Sequence, residues 1–259
     1  MSGAAKDSNP PPVDERLVAP ESRFEIWDGR VEYVAPADEP HATRHSKISA
    51  LLEAHAGEGY EVASDMLTRT SEIDDVAPDA SVFPSERDTK TGQRQLEELA
   101  FEVASTEALS HAGRKAQKLA KRGVRRIFAV DVTRQRAVEW SEATASWRIL
   151  DQDSVIEDRA FAAPLPVRAL VSAAKADDAM ARALLAKGNP VLVAALDDER
   201  SKGKLEGKLE ALFSVLAARG LVPSESEREQ LVSERGGQRL EAWLKAAIHC
   251  SSVRELLDT

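Results

Sequence analysis

Between Phe24 and Val34 apolar and polar residues alternate in two short runs, FEIW and RVEYV, separated by Asp28-Gly29. β-prone runs on either side of an Asp-Gly pair predict an antiparallel hairpin, because that pair accepts the positive φ angles of a tight two-residue turn. Over residues 41–55 the period changes. Ile48, Leu51, Leu52 and His55 fall at helical spacing, and Gly57 and Gly59 stop the helix. Residues 60–64, 66–70 and 80–83 read as short strands, 84–92 as a polar loop, and 99–104 as a strand with Phe101 and Val103 on one face. Residues 106–122 place Leu109, Ala112, Ala116, Leu119 and Ala120 on one helical side, with Gly123 as the C-terminal stop. A further strand at 126–131 completes the order strand, helix, strand, which predicts a parallel crossover. Residues 137–140 and 147–150 resemble a closing meander, so the expected fold class is α/β, a mixed sheet of the α+β kind with helices on its faces.

Beyond Pro166 the pattern becomes rich in alanine and leucine with alternating charge. Helices are expected at 173–187 and 197–219, ended by Gly188 with Pro190 and by Gly220 with Pro223, and again near 225–233 and 239–248. Gly-Lys-Leu-Glu at 203–206 recurs at 207–210, one turn apart, as a short repeat and not a solenoid. The resulting division is a disordered Pro-rich tail at 1–22, a mixed-sheet domain at 23–165, a helical linker region at 166–196 and a helical C-terminal module at 197–259.

Composition narrows the classes. With 42% hydrophobic and 31% charged residues the chain is globular. No stretch approaches the roughly 18 apolar residues of a membrane span, and the first 22 residues lack a signal-peptide core, so a cytoplasmic location is expected. The one cysteine, Cys250, has no second thiol for a disulfide or a zinc knuckle. A net charge of −9 disfavours indiscriminate coating of nucleic acid, so any such contact must be local.

Three positions break the expected pattern. Glu102 interrupts the apolar run LAFEVA, and a carboxylate buried there requires a cation, a metal ion or a proton; an edge strand with Glu102 facing water is the bland alternative. Asp79 follows Pro78 just before a strand, a place that suits an acidic ligand and equally suits ordinary turn chemistry. Lys115 belongs to a stretch from Ala108 to Val130 that holds seven Lys and Arg residues and no Asp or Glu. On the helix Lys115, Lys118 and Arg122 share a stripe bordering the apolar face, whose plain reading is a solvated surface. His41 and His45 lie four apart in HATRH, which lacks the glutamate of a metalloprotease helix and an evident third ligand; they are read as helix-start residues.

Taken together, the hairpin FEIWDGRVEYV, the His-containing helix, Pro78-Asp79, Phe101-Glu102-Val103 with Ser105, Gly113, Lys115, Gly123-Val124-Arg125 and Phe128-Ala129-Val130-Asp131 resemble, over residues 23–140, the Uma-type restriction endonucleases of the PD-(D/E)xK nuclease superfamily. The resemblance implies that 23–165 is a restriction-endonuclease-like domain. It also implies that Asp79 and Glu102 bind a divalent metal, Mg²⁺ or Mn²⁺, and that a lysine positions or deprotonates the attacking water. The superfamily's usual lysine position, two residues after the glutamate, holds Ala104 here; in Uma-type members a lysine on the following helix substitutes, which is Lys115. Family members often carry an acid where this chain has His111. A histidine near His41 and the hairpin acid Glu25 recur in the family, which makes them site neighbours, and Lys118 and Arg122 are the expected nucleic-acid contacts. The function expected is a metal-dependent endonuclease hydrolysing DNA phosphodiester bonds. The alternative is a catalytically inactive nuclease-fold interaction module, with the C-terminal helices serving as a homo-oligomerisation or partner-binding tail.

Overall fold

The computed structural model describes residues 10–19, 24–34, 36–105 and 109–259. The chain separates into two compact units, Met1–Lys187 and Gly188–Thr259.

In the first unit, β1 (Phe24–Trp27) and β2 (Arg30–Tyr33) form the expected hairpin, with Asp28 at φ +50° and Gly29 at φ +77° in the turn. Helix α1 (Glu39–His55) starts at Asp38, whose carboxylate accepts the His41 N–H, and carries Pro40 in its first turn, where no backbone donor is needed. It is followed by β3 (Tyr60–Ser64), β4 (Thr68–Ser71), β5 (Asp74–Val76), β6 (Ala80–Pro84) and β7 (Leu99–Ala104). Strand β5, with its DDV sequence, has no apolar alternation and was not expected. Helix α2 (Leu109–Arg122) matches the expected helix from its first described residue; 106–108 lie outside the described residues. Then come β8 (Arg126–Asp131), β9 (Arg136–Ser141), β10 (Ser146–Ile149), the short β11 (Val155–Ile156) and β12 (Leu165–Pro166), and helices α3 (Val167–Val171) and α4 (Ala173–Ala186).

The main sheet has the order β10-β9-β8-β7-β6-β3, antiparallel except for the parallel β7–β8 pair at its centre, as the strand–helix–strand order requires. A second sheet, β2-β1-β5-β4, carries the hairpin. Alternation along β7 sorts its side chains onto two cores. Phe101 and Val103 join Leu51 and Leu52 of α1, Leu170 of α3 and Ala176 of α4 on one face. Ala100 joins Ala116 and Leu119 of α2 and Trp27 of β1 on the other. Glu102 shares the parity of Ala100 and therefore faces α2.

Two expected boundaries change. Residues 10–19 are not a loose tail: Val13 is buried, the Leu17 N–H donates to Asp75 at 3.2 Å, and the Arg94 N–H donates to Asp14 at 2.9 Å. The segment read as a linker from 166 is core through α3 and α4, because Val167, Leu170, Ala176 and Ala179 fill the face beside α1.

The second unit holds α5 (Pro190–Ala218), α6 (Glu225–Ser233), α7 (Gly237–Ala246) and α8 (Val253–Leu257). Helix α4 ends before Gly188 and Pro190 as expected, but Pro190 also begins α5, which starts ahead of the helix expected from 197. Asn189 caps it through the Val191 and Leu192 N–H groups, and a proline in the first turn loses no helical hydrogen bond. Leu212, Leu216, Leu231, Leu240, Trp243 and Leu256 form a separate core, with Cys250 buried in it. Among the described residues no single helix is long and apolar enough to cross a membrane.

Candidate active site

A central strand places its residues where a helix and a second sheet can close over them, and β7 does this with Glu102. The residue is 5% exposed, and its Oε2 lies 3.4 Å from the Lys115 ammonium of α2. Lys115 in turn is 3.3 Å from Glu25 Oε1 of β1 and donates to the Ala77 carbonyl at 2.7 Å. Two carboxylates and a carbonyl thus surround the ammonium and hold Lys115 as a cation. Burial opposes its charge, but Glu102, Glu25 and Asp79 outweigh that and raise its pKa. Glu25 is fixed from behind by the Trp27 indole N–H at 2.8 Å and the Ala77 N–H at 2.8 Å.

Asp79 stands at the start of β6. Its Oδ2 accepts the Val103 N–H at 2.5 Å, which ties it to the strand end beside Glu102, and its Oδ1 is 3.6 Å from His41 Nε2. Burial alone would raise the Asp79 pKa, but His41, Lys115 and the Val103 N–H together hold it below the ordinary carboxylate value. Glu102 goes the other way: its burial, reinforced by the nearby Asp79 and Glu25 charges and opposed by Lys115, pushes its pKa well up. Two carboxyl groups in one centre are thus driven in opposite directions.

On the far side of Asp79 lie residues that sequence reasoning missed. The register that sets Ser64 opposite Ala80 continues to Asp65 and Asp79, and the Asp65 N–H donates to the Asp79 carbonyl at 3.2 Å. His45 Nε2 contacts that same carbonyl and lies 3.9 Å from Asp65 Oδ1. His45, Asp65 and Asp79 each offer an oxygen or nitrogen within 4.8 Å of the others. The three come from α1, from the residue after β3 and from the residue before β6, a grouping that spacing along the chain does not reveal.

The residues present fit a divalent cation. Glu102 Oε1 is buried without a hydrogen-bond partner, so an acceptor stands open beside a second carboxylate. The other donors are hard carboxylate oxygens and an imidazole, all usable by a divalent ion.

Asp79, Glu102, Lys115, Glu25 and His41 are therefore brought together. Lys118 and Arg122, expected to touch nucleic acid, are committed elsewhere. Lys118 pairs with Asp28 at 2.7 Å and Asp74 at 2.6 Å, clamping the hairpin to β5, and half-buried Arg122 donates to the Pro11 carbonyl at 2.5 Å. A helix stripe bordering the apolar face is where long basic side chains find internal acceptors, and both do so. His111 packs against Trp27 at 5.4 Å between ring centroids.

A mixed sheet with a central parallel pair, closed by helices over a buried acid–acid–lysine centre, defines the restriction-endonuclease-like class of nucleases. The chain belongs to the Uma2 family, described as "Putative restriction endonuclease", whose profile matches residues 13–164. No curated protein sequence matches the chain significantly. Among solved structures it is similar to a crystal structure from Anabaena variabilis ATCC 29413, titled as that of "a putative nuclease belonging to DUF820". The identity is 13% and the TM-score 0.47, over 57% of this chain and 89% of that one.

Proposed function

We propose that the first unit is a divalent-metal-dependent endonuclease that hydrolyses phosphodiester bonds in DNA. The observation that carries this is the open acceptor Glu102 Oε1, buried beside Asp79 and next to the helix-borne ammonium of Lys115. Asp79 and Glu102 would hold Mg²⁺ or Mn²⁺. Such an ion lowers the pKa of a bound water and offsets charge on the scissile phosphate. Lys115, which donates to the Ala77 carbonyl and is flanked by Glu25 and Glu102, acts as a cation: it positions water or offsets negative charge that develops nearby, and it has no lone pair with which to act as a base. Glu25 and Trp27 hold that ammonium in place. His41 fixes the Asp79 carboxylate. With Lys118 and Arg122 internally paired, Arg114 and Lys121 are the exposed basic residues of α2 that remain for phosphate.

The test is nicking of supercoiled plasmid with Mg²⁺ or Mn²⁺. Cleavage by the wild type, lost in Asp79→Ala, Glu102→Ala and Lys115→Ala, is the expected result. Cleavage that persists unchanged in all three variants would assign the activity to a contaminant.

A second reading, a catalytically inactive interaction module, is favoured by the closed pairing of Lys115 and by Ala104 in the usual lysine position. In that reading the C-terminal helices mediate assembly. Light scattering on the chain with and without 188–259 tests the assembly, since an unchanged number of subunits excludes an oligomer held by those helices.

A further inference from the structure

The cation of the proposed nuclease has ligand positions on the solvent side of Asp79 that the acid–acid–lysine pattern does not contain. Helix α1 and strand β3 meet there. Ser49, two turns after His41 and one after His45, shares a hydrogen bond of 2.8 Å with Ser64 at the end of β3, so the helix face carrying His41, His45 and Ser49 is pinned over the β3–β6 edge. Asp65 follows Ser64 in the left-handed region at φ +52°, a conformation that Asp tolerates better than most residues. Its side chain is 70% exposed, whereas Glu102 is buried against Lys115, so this is the side from which an ion in solution reaches Asp79.

We infer that His45 and Asp65 complete the cation site with Asp79, and that this imidazole-containing set selects a first-row transition ion over Mg²⁺. The inference rests on the reading that a cation binds at Asp79. Bonds of about 2.1 Å in an octahedral shell put neighbouring donors about 3.0 Å apart and opposite donors about 4.2 Å apart. The observed 3.9 Å between His45 Nε2 and Asp65 Oδ1, within a group spanning no more than 4.8 Å, needs only small side-chain rotations to meet such a shell. A neutral imidazole with its proton on Nδ1 presents the Nε2 lone pair, and the contact Nε2 makes with the Asp79 carbonyl is exchanged for the ion. Mg²⁺ keeps oxygen ligands and several waters. A nitrogen donor gains most for later first-row ions, which gives the affinity order Mg²⁺, Mn²⁺, Co²⁺ for this site.

Calorimetry on the full chain with Mg²⁺, Mn²⁺ and Co²⁺, together with proton NMR of the Co²⁺ form, tests this. Co²⁺ should bind most tightly and shift an imidazole N–H resonance far outside the diamagnetic range. His45→Ala should abolish that resonance and weaken Co²⁺ at least about tenfold, since even residues behind the ligands cost about 10–100-fold, while Mg²⁺ affinity stays within a few-fold. Asp65→Asn, at an exposed position where folding is not at stake, should weaken all three ions. His45→Gln serves if His45→Ala does not fold. A Co²⁺ complex lacking the shifted resonance overturns the inference, as does one whose resonance survives in His45→Ala or disappears in His41→Ala instead. Ion binding that is sensitive to Glu102→Gln and indifferent to His45 and Asp65 overturns this inference alone and leaves the nuclease reading intact. Absence of any divalent binding removes both.

Discussion

Lys115 and Glu102 form a buried pair whose two halves are unequal in what they leave behind. Deleting Lys115 strands Glu25 and Glu102 together in a dry site, and removing one partner of a buried ion pair commonly costs about 3–5 kcal/mol. Lys115→Met, which keeps the volume, should therefore lower the unfolding free energy obtained from urea titration by an amount in that range. Glu102→Gln should cost far less, because it keeps the volume, Lys115 retains Glu25 and the Ala77 carbonyl as partners, and burial already works against the Glu102 charge. Equal losses from the two variants would show that the pair is not coupled as described. At this scale the sequence was informative where a residue violated its surroundings. Glu102 stood out because a charge sat inside LAFEVA, and Lys115 because a basic stretch lacked acids. His45 and Asp65 violated nothing locally: the β3–β6 register joins Asp65 to Asp79, and the packing of α1 brings His45 to it.

Helix α2 must approach the sheet closely enough to put Lys115 on Glu102, and Gly113 makes the approach possible. A Cβ there would lie 3.3 Å from both Trp140 Cζ3 and Trp147 Nε1. Those rings cannot yield easily, since they pack edge to face at 5.1 Å and Trp147 donates to the Leu109 carbonyl at 3.0 Å. Gly113→Ala gains about 1 kcal/mol of helix propensity and loses a similar amount to crowding, so its midpoint should barely move. Gly113→Val adds two more methyl groups to the same contact. It should lose about 1–3 kcal/mol and shift α2, with a matching change in Trp fluorescence. A fully stable Gly113→Val would mean that the helix does not sit as close as the contacts require. Elements with a strong period or a turn signal, such as the β1–β2 hairpin, α1, β7 and β8, were legible in the sequence. Strand β5 was not, because Asp74 pairs with Lys118 and one oxygen of Asp75 accepts the N–H groups of Leu17 and Val18, which are remote partners that no local pattern announces. Pro190 misled for a simpler reason: the same residue that stops one helix is welcome in the first turn of the next.

At the scale of the whole chain, two separate cores predict two separate responses to acid. In the first unit, Asp158 and Glu98 are bound by Arg125, with Arg126 adding to Asp158 and Arg159 to Glu98; burial opposes the effect, yet both pKa values are lowered. A carboxylate with a lowered folded-state pKa contributes stability that is present above its unfolded value and lost as pH falls through the folded one. Glu102, Asp65 and Asp75 are raised and act in the opposite sense, but their contribution fades as pH falls past the unfolded carboxyl values of about 4, where they become protonated in both states. The lowered groups dominate there, so the stability of the first unit should fall. In the C-terminal unit the lowered carboxyls Glu227 and Glu241 lie at the surface, where water screens them, so its core of Leu212, Leu216 and Trp243 should be nearly indifferent to the same change. The four tryptophans divide accordingly: Trp27, Trp140 and Trp147 report on the first unit, and Trp243 reports on the second. Urea titrations at pH 7, 4 and 3 followed by fluorescence in wild type and Trp243→Phe should show the transition of the first three falling steeply below pH 4. The helical circular dichroism that remains should keep its midpoint. One transition, moving as a unit with pH in every probe, would mean that the two cores fold as one.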